Sequence, residues 1–483
     1  MDIVRNALHS IPKRHVIVVL CAMSVVISYA DRSNISIAII PMSAEYSWSS
    51  TTRGLILSSF FYGYFCTQVL GGFLADKFGG KGVLALGAFL WSLFTLVTPW
   101  VAHNLALLIV CRLLLGAGEG LGFPAIHSLI AKWIPHHESS RAVAAVTAAS
   151  YAGAILALLI SAPIAASSLG WRWIFYIFAI MGFGWNIPWY LFSASSPDQH
   201  SGTSPFESLY GKERDQDCPA YVRVNSEDHD SFHERPESPE EIEDSIEQAH
   251  STESDEILDV DVVHSPVMHH TSASSGNNIP WGDIFASKEV WAILLNQFCN
   301  SWGFYVLLSW LPTYYKDVFD VDLNELGYFS VLPYIVQGLV GLASGFVGDY
   351  AINKLEIPVV TVRRVAQCTG MLGPGIFLLL AGYTATSVTI GMIYISLALG
   401  FNSFTLIGVS ISQLDIAPKF AGIIFGLGNT AATLPGILGV TVTGVLLESK
   451  EAWPLVFGIA AAFYFFGAVI WFFWGGGGHV VIH

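Results

Sequence analysis

Gly72-Phe73-Leu74-Ala75-Asp76-Lys77-Phe78-Gly79-Gly80-Lys81 joins two apolar runs, and Gly345-Phe346-Val347-Gly348-Asp349 repeats its opening later in the chain. From Gly72 to Gly345 is 273 residues. A turn recurring at that distance marks two similar halves, which is how many transporters are built. Apolar stretches flank each copy, and a bilayer core of about 30 Å needs about 20 such residues per helix. Twelve stretches can be read, six before residue 194 and six after residue 288. The expected fold is therefore an all-α polytopic membrane protein. It has twelve transmembrane helices in two six-helix halves, residues 1–193 and 289–483.

Composition agrees. Of 483 residues, 53% are hydrophobic and 12% charged, where a soluble domain has about 25% charged. That excludes soluble multidomain, collagenous, wholly disordered and nucleic-acid-binding readings. The net charge of −15 is local, since Ala194–Ile284 holds 21 Asp/Glu and 4 Lys/Arg while the remainder holds 16 and 18. A stretch that polar cannot bury enough apolar surface to fold alone, so residues 194–288 read as an acidic, disordered cytoplasmic linker. Ser238 and Ser254 within it sit in acidic surroundings that suit phosphorylation.

With the N-terminus inside, the short inside segments carry twelve Lys/Arg and the outside segments four. Both termini are then expected in the cytoplasm. No secretory signal or long Arg/Ser-rich leader is evident, which favours the plasma or endolysosomal membrane over a plastid envelope. The six cysteines have no disulfide or metal spacing, and neither a metal nor a cofactor is expected. No metal-hydrolase or nucleophile-elbow motif argues for an enzyme.

Four charges fall inside predicted spans. Asp31 and Arg32 are adjacent in the first, and Arg112 and Glu119 lie in the fourth. Each costs about 2.5–3.5 kcal/mol at mid-membrane and is retained only with a partner or water. Neighbours on a helix point about 100° apart, so Asp31 and Arg32 face different surroundings. Arg112 and Glu119 are seven apart, hence on one face, and are expected to share a cavity. A carboxylate there can trade a proton as substrate charge comes and goes.

The Gly72–Lys81 pattern resembles the loop signature of the major facilitator superfamily. The resemblance implies gating roles for Asp76, Lys77 and Lys81, and for Asp349 in the echo. Tyr29–Arg32, Ser58-Ser59-Phe60-Phe61-Tyr62-Gly63-Tyr64 and Arg112–Ala125 resemble, more narrowly, its anion:cation symporter family. So do Asn300–Tyr305 with Leu311–Tyr315, and Leu414–Gly422 with Gly428-Asn429-Thr430. The resemblance implies that Arg32 and Arg112 engage an anionic substrate and that Asp31 and Glu119 couple protons. It implies too that Tyr64, Asn300, Tyr305 and Asn429 line the central site. Vesicular glutamate transporters place an arginine where this chain has Asn300, which argues against glutamate and toward a monovalent organic anion or phosphate.

The expected function is secondary active transport of a small organic or inorganic anion by alternating access. The coupling cation would be a proton or sodium, and the carrier a monomer in the bilayer without nucleic-acid partners. The second reading is a transport-inactive anion sensor on the same fold, signalling through the acidic linker.

Overall fold

The computed structural model describes residues 12–197, 280–416 and 420–476. Residues 1–215 and 281–483 group as one compact unit; the other stretch, 216–280, lies outside the described residues apart from Pro280. Residues 198–279 of the expected linker, with its two serines Ser238 and Ser254, therefore fall outside the description.

Every apolar run in the N-terminal half is a helix. They are α1 (Lys13–Tyr46), α2 (Ser50–Phe78), α3 (Gly80–Val101), α4 (Leu105–Gly120) continued by α5 (Gly122–Trp133), α6 (His136–Ala166) and α7 (Arg172–Phe192). A short α8 (Trp281–Ala286), inside the stretch assigned to the linker, precedes the other half. That half holds α9 (Lys288–Phe319), α10 (Leu323–Asn353), α11 (Val359–Tyr383), α12 (Val388–Asn402) continued by α13 (Val409–Ile416), α14 (Ala421–Leu446) and α15 (Trp453–Trp474). With the two broken pairs each counted once and α8 set aside, this is the six-plus-six arrangement. Ten of these spans are long and apolar enough to cross a membrane. The other two, α2 and α9, are 29 and 32 residues long. They carry polar side chains such as Ser58, Ser59, Gln68, Asn296 and Ser301, which are buried on the faces that pack into the bundle.

The breaks have chemical causes. Pro124 has no N–H for the Gly120 carbonyl, so α4 stops there and Leu121 makes a tighter bond to Gly118 O at 3.3 Å. This leaves Glu119 in the last turn before the break. Between α12 and α13, the freed groups are met by buried side chains. Arg363 donates to Ile407 O at 3.0 Å, and Gln367 accepts from Val409 N at 3.0 Å. Broken helices persist in a membrane only when such partners exist.

Small residues let backbones touch. A Cβ on Gly63 would overlap Leu113 O, and one on Gly116 would overlap Phe60 O, so α2 lies directly on α4. Gly116→Val is expected to cost about 3 kcal/mol or more, as overpacking against backbone does. Thermal unfolding of the detergent-purified variant checks this.

Between the halves, α2 packs on α14, α6 on α10 and α1 on α9. Hydrogen bonds join the halves at two depths. Near the start of α2, Thr51 N donates to Glu448 Oε1 at 2.9 Å, and Arg53 Nη2 donates to Thr313 Oγ1 at 2.9 Å. One turn beyond Tyr64, Gln68 Nε2 donates to Thr433 Oγ1 at 2.9 Å and Gln68 Oε1 accepts from Asn429 Nδ2 at 2.7 Å.

Candidate substrate and coupling site

Between those two depths lie the four charges foreseen inside the spans. Arg32, Asp31, Glu119 and Arg112 are each 5% exposed or less. Arg32 projects from α1 toward α4. Its Nη2 donates to Glu119 Oε2 at 2.8 Å and its Nε to the same oxygen at 3.2 Å. Ser28, one turn earlier on α1, adds a third bond to Oε2 at 2.9 Å. The guanidinium also lies 4.6 Å from the Tyr29 ring centre and 4.7 Å from those of Phe60 and Tyr64. Such faces favour a cation and suit the flat guanidinium.

Asp31 turns away, as the helical offset requires. It accepts from Asn34 Nδ2 at 2.9 Å on its own helix and from the Thr95 hydroxyl on α3. Arg112 stands over Phe60, 5.6 Å from its centre, and its Nε and Nη1 have no hydrogen-bond partner. The carboxylate pairs with Arg32 and forms no ion pair with Arg112. Helical spacing put both side chains on one face. It could not show that a second arginine arrives from α1 with Ser28 beside it.

Tyr64 is buried against Arg32, and Tyr305 reaches the cluster from the other half, its ring 4.6 Å from that of Phe61. Asn300 accepts from Asn402 Nδ2 through its side chain and from Tyr464 OH at 3.4 Å through its carbonyl. Asn429 is engaged by Gln68 in the inter-half contact, so its amide is turned to a closure rather than toward the arginines. Sequence reasoning passed over Ser28, Thr95, Gln68 and Thr433. Ser28 alone had a signal, at four residues before Arg32.

Of the loop residues, Lys81 caps the end of α7, donating to Tyr190 O at 3.1 Å and Ser193 O at 2.6 Å. Asp76, Lys77 and Asp349 are exposed. Among the described residues neither aspartate has a hydrogen bond or ion pair, and Lys77 lies over Phe73 and Phe78 of its own helix.

The model of the Major Facilitator Superfamily matches residues 21–440. The chain belongs to that superfamily. Within it, the chain is a member of the anion:cation symporter family, and an integral, multi-pass membrane transporter. It is 35% identical over 452 residues to the chloroplastic ascorbate transporter of Arabidopsis thaliana, covering 93% of this chain and 73% of that one. It is 34% identical over 450 residues to the chloroplastic sodium-dependent phosphate transport protein 1 of the same plant, covering 93% and 76%. Human sialin is 32% identical over 425 residues, covering 86% and 74%. Two of these relatives are named chloroplastic, which counts against the expected plasma or endolysosomal membrane. Solved structures share the superfamily fold at low identity. A D-xylose–proton symporter has a TM-score of 0.67 at 14% identity over 96% of this chain and 98% of that one. An inward-facing bacterial homologue of the lysosomal transporter Spinster has 0.66 at 15% over 95% and 98%.

Proposed function

We propose that this symporter-family chain carries a small anion, a monovalent organic anion or phosphate, coupled to a proton. The observation that carries the reading is the buried Arg32–Glu119 pair with Arg112 nearby, two of its nitrogens free of hydrogen bonds. As built, the cluster balances two arginines against two carboxylates. Adding an anion to a site of low polarity leaves one negative charge uncompensated, which is costly. A proton on Glu119 restores the balance and frees Arg32 to fork onto the incoming oxygens. Arg112, already free of hydrogen bonds at two nitrogens, supplies the second set of donors. Anion and proton then enter together because neither is favourable alone, and the neutral loaded cluster lets the halves rock. The ascorbate, phosphate and sialin names of the relatives support an anionic cargo.

Uptake into proteoliposomes tests this. Phosphate, ascorbate, sialate, gluconate and glutamate would be offered under a set pH gradient, with and without sodium. One of the anions is expected to accumulate, with loss of uptake in Arg112→Ala and pH-independent transport in Glu119→Gln. Sodium dependence without pH dependence would retain the carrier and overturn the proton assignment. Binding without uptake would favour the sensor.

A further inference from the structure

Glu119 is hydrogen-bonded on one side only. Its Oε2 accepts from Ser28 and twice from Arg32, while Oε1 is buried without a partner. Beside the carboxylate is a cavity of about 10 Å³, walled by Ser24, Ser28, Trp91, Glu119, Gly122 and Phe123 among others. That is about the least volume that holds one water, which also needs two to four polar partners. Glu119 and two hydroxyls one turn apart on α1 line the cavity. Ser24 gives its hydrogen to Cys21 O and Ser28 gives its hydrogen to Glu119, so each hydroxyl oxygen is left to accept. Trp91, whose indole N–H has no partner, is also in the wall.

We propose that this cavity, which Glu119 lines and Arg32 does not, is a one-water site through which protons reach and leave Glu119. The inference rests on Glu119 being the coupling carboxylate. The two oxygens then divide the work: Oε2 holds the arginine that the anion competes for, and Oε1 exchanges the proton. The charged and titratable groups around Glu119 are Tyr29, Asp31 and Arg32 on α1, Tyr64 on α2, Arg112 on α4 and Tyr305 on α9. From α3 come Trp91 and Thr95, neither ionisable in a working range. On α5, His127 has its ring between Phe123 and Phe425.

Gly122 gives a clean probe. A Cβ there would point between Leu84 and Trp91, two walls of the cavity, at 3.9 Å from each. Gly122→Ala therefore fits while filling the space of the water. The experiment is infrared spectroscopy of the full-length protein in lipid after a light-triggered drop in pH. The carboxylic C=O band missing from Glu119→Gln reports protonation of Glu119. Gly122→Ala is expected to slow the rise of that band about tenfold with the same final amplitude, since transfer needs hydrogen-bond reach or one bridging water. Ser24→Ala is expected to slow it less, and serves alone should Gly122→Ala fail to fold. A rise at the parental rate in both variants would overturn the proton route and leave the carrier reading intact. Absence of any band that Glu119→Gln removes would overturn the coupling reading and this inference with it.

Discussion

Arg32→Met is expected to abolish anion uptake and to destabilise the protein by about 3–5 kcal/mol, the usual cost of leaving one member of a buried ion pair alone. The cause is not the lost arginine as such. Glu119 would remain buried with only Ser28 to meet its charge, since Arg112 makes no bond to it. Adding Glu119→Gln to the same chain removes that charge, so most of the lost stability is expected to return. Uptake is not expected to return, because the anion still lacks its forked donor. Thermal unfolding and proteoliposome uptake of the two single variants and the double variant form a complete cycle. Stability that stays low in the double variant would mean that Arg32 acts mainly through its stacking on Tyr29, Phe60 and Tyr64. Uptake that survives Arg32→Met would remove it from the substrate site.

The second large effect concerns opening and closing. Gly54 on α2 and Gly444 on α14 touch, and a Cβ on Gly54 would lie 2.9 Å from Gly444 Cα and 3.3 Å from Val440 O. Both obstacles are backbone, so neither can step aside. Gly54→Leu is expected to prevent the halves from meeting at this end, breaking the nearby Arg53–Thr313 and Thr51–Glu448 bonds. Overpacking here costs about 1–3 kcal/mol or more. Each 1.4 kcal/mol shifts a two-state population about tenfold, so the conformation open at this end becomes dominant. Net transport is expected to fall to background while anion binding persists. Labelling of a cysteine placed at the buried Leu57, in a chain lacking the exposed Cys66, reads the opening. The opposite change, Gln68→Leu, removes the bonds to Asn429 and Thr433 and favours opening toward the other end. Transport at the parental rate in Gly54→Leu would show that this contact need not form during the cycle.

The candidate site was half legible in the sequence. That Asp31 and Arg32 must have different surroundings followed from the helical offset alone, and Asp31 does turn to Thr95 while Arg32 turns to Glu119. That both arginines and both carboxylates would be buried followed from their depth in apolar runs. The pairing did not follow. Spacing along α4 put Arg112 and Glu119 on one face but named no partner for the carboxylate, and that partner is 87 residues away on α1. Likewise Asn429 read as a lining residue, yet it meets Gln68 across the two halves. No local rule relates residues so far apart, and two arginines within reach of one carboxylate are chemically equivalent until packing sets their directions.

What the sequence by itself determined was the number, order and approximate limits of the spans, and the superfamily they belong to. Crossing lipid is a one-dimensional condition: enough consecutive apolar residues, with charge kept to the turns. Only the tertiary structure decided which buried charges neutralise one another, which amides close the halves, and that one oxygen of Glu119 is left free beside a water-sized cavity. Those outcomes depend on angstrom-scale contact between helices, here set by bare glycine surfaces such as Gly63 and Gly116 that let α2 and α4 meet backbone to backbone.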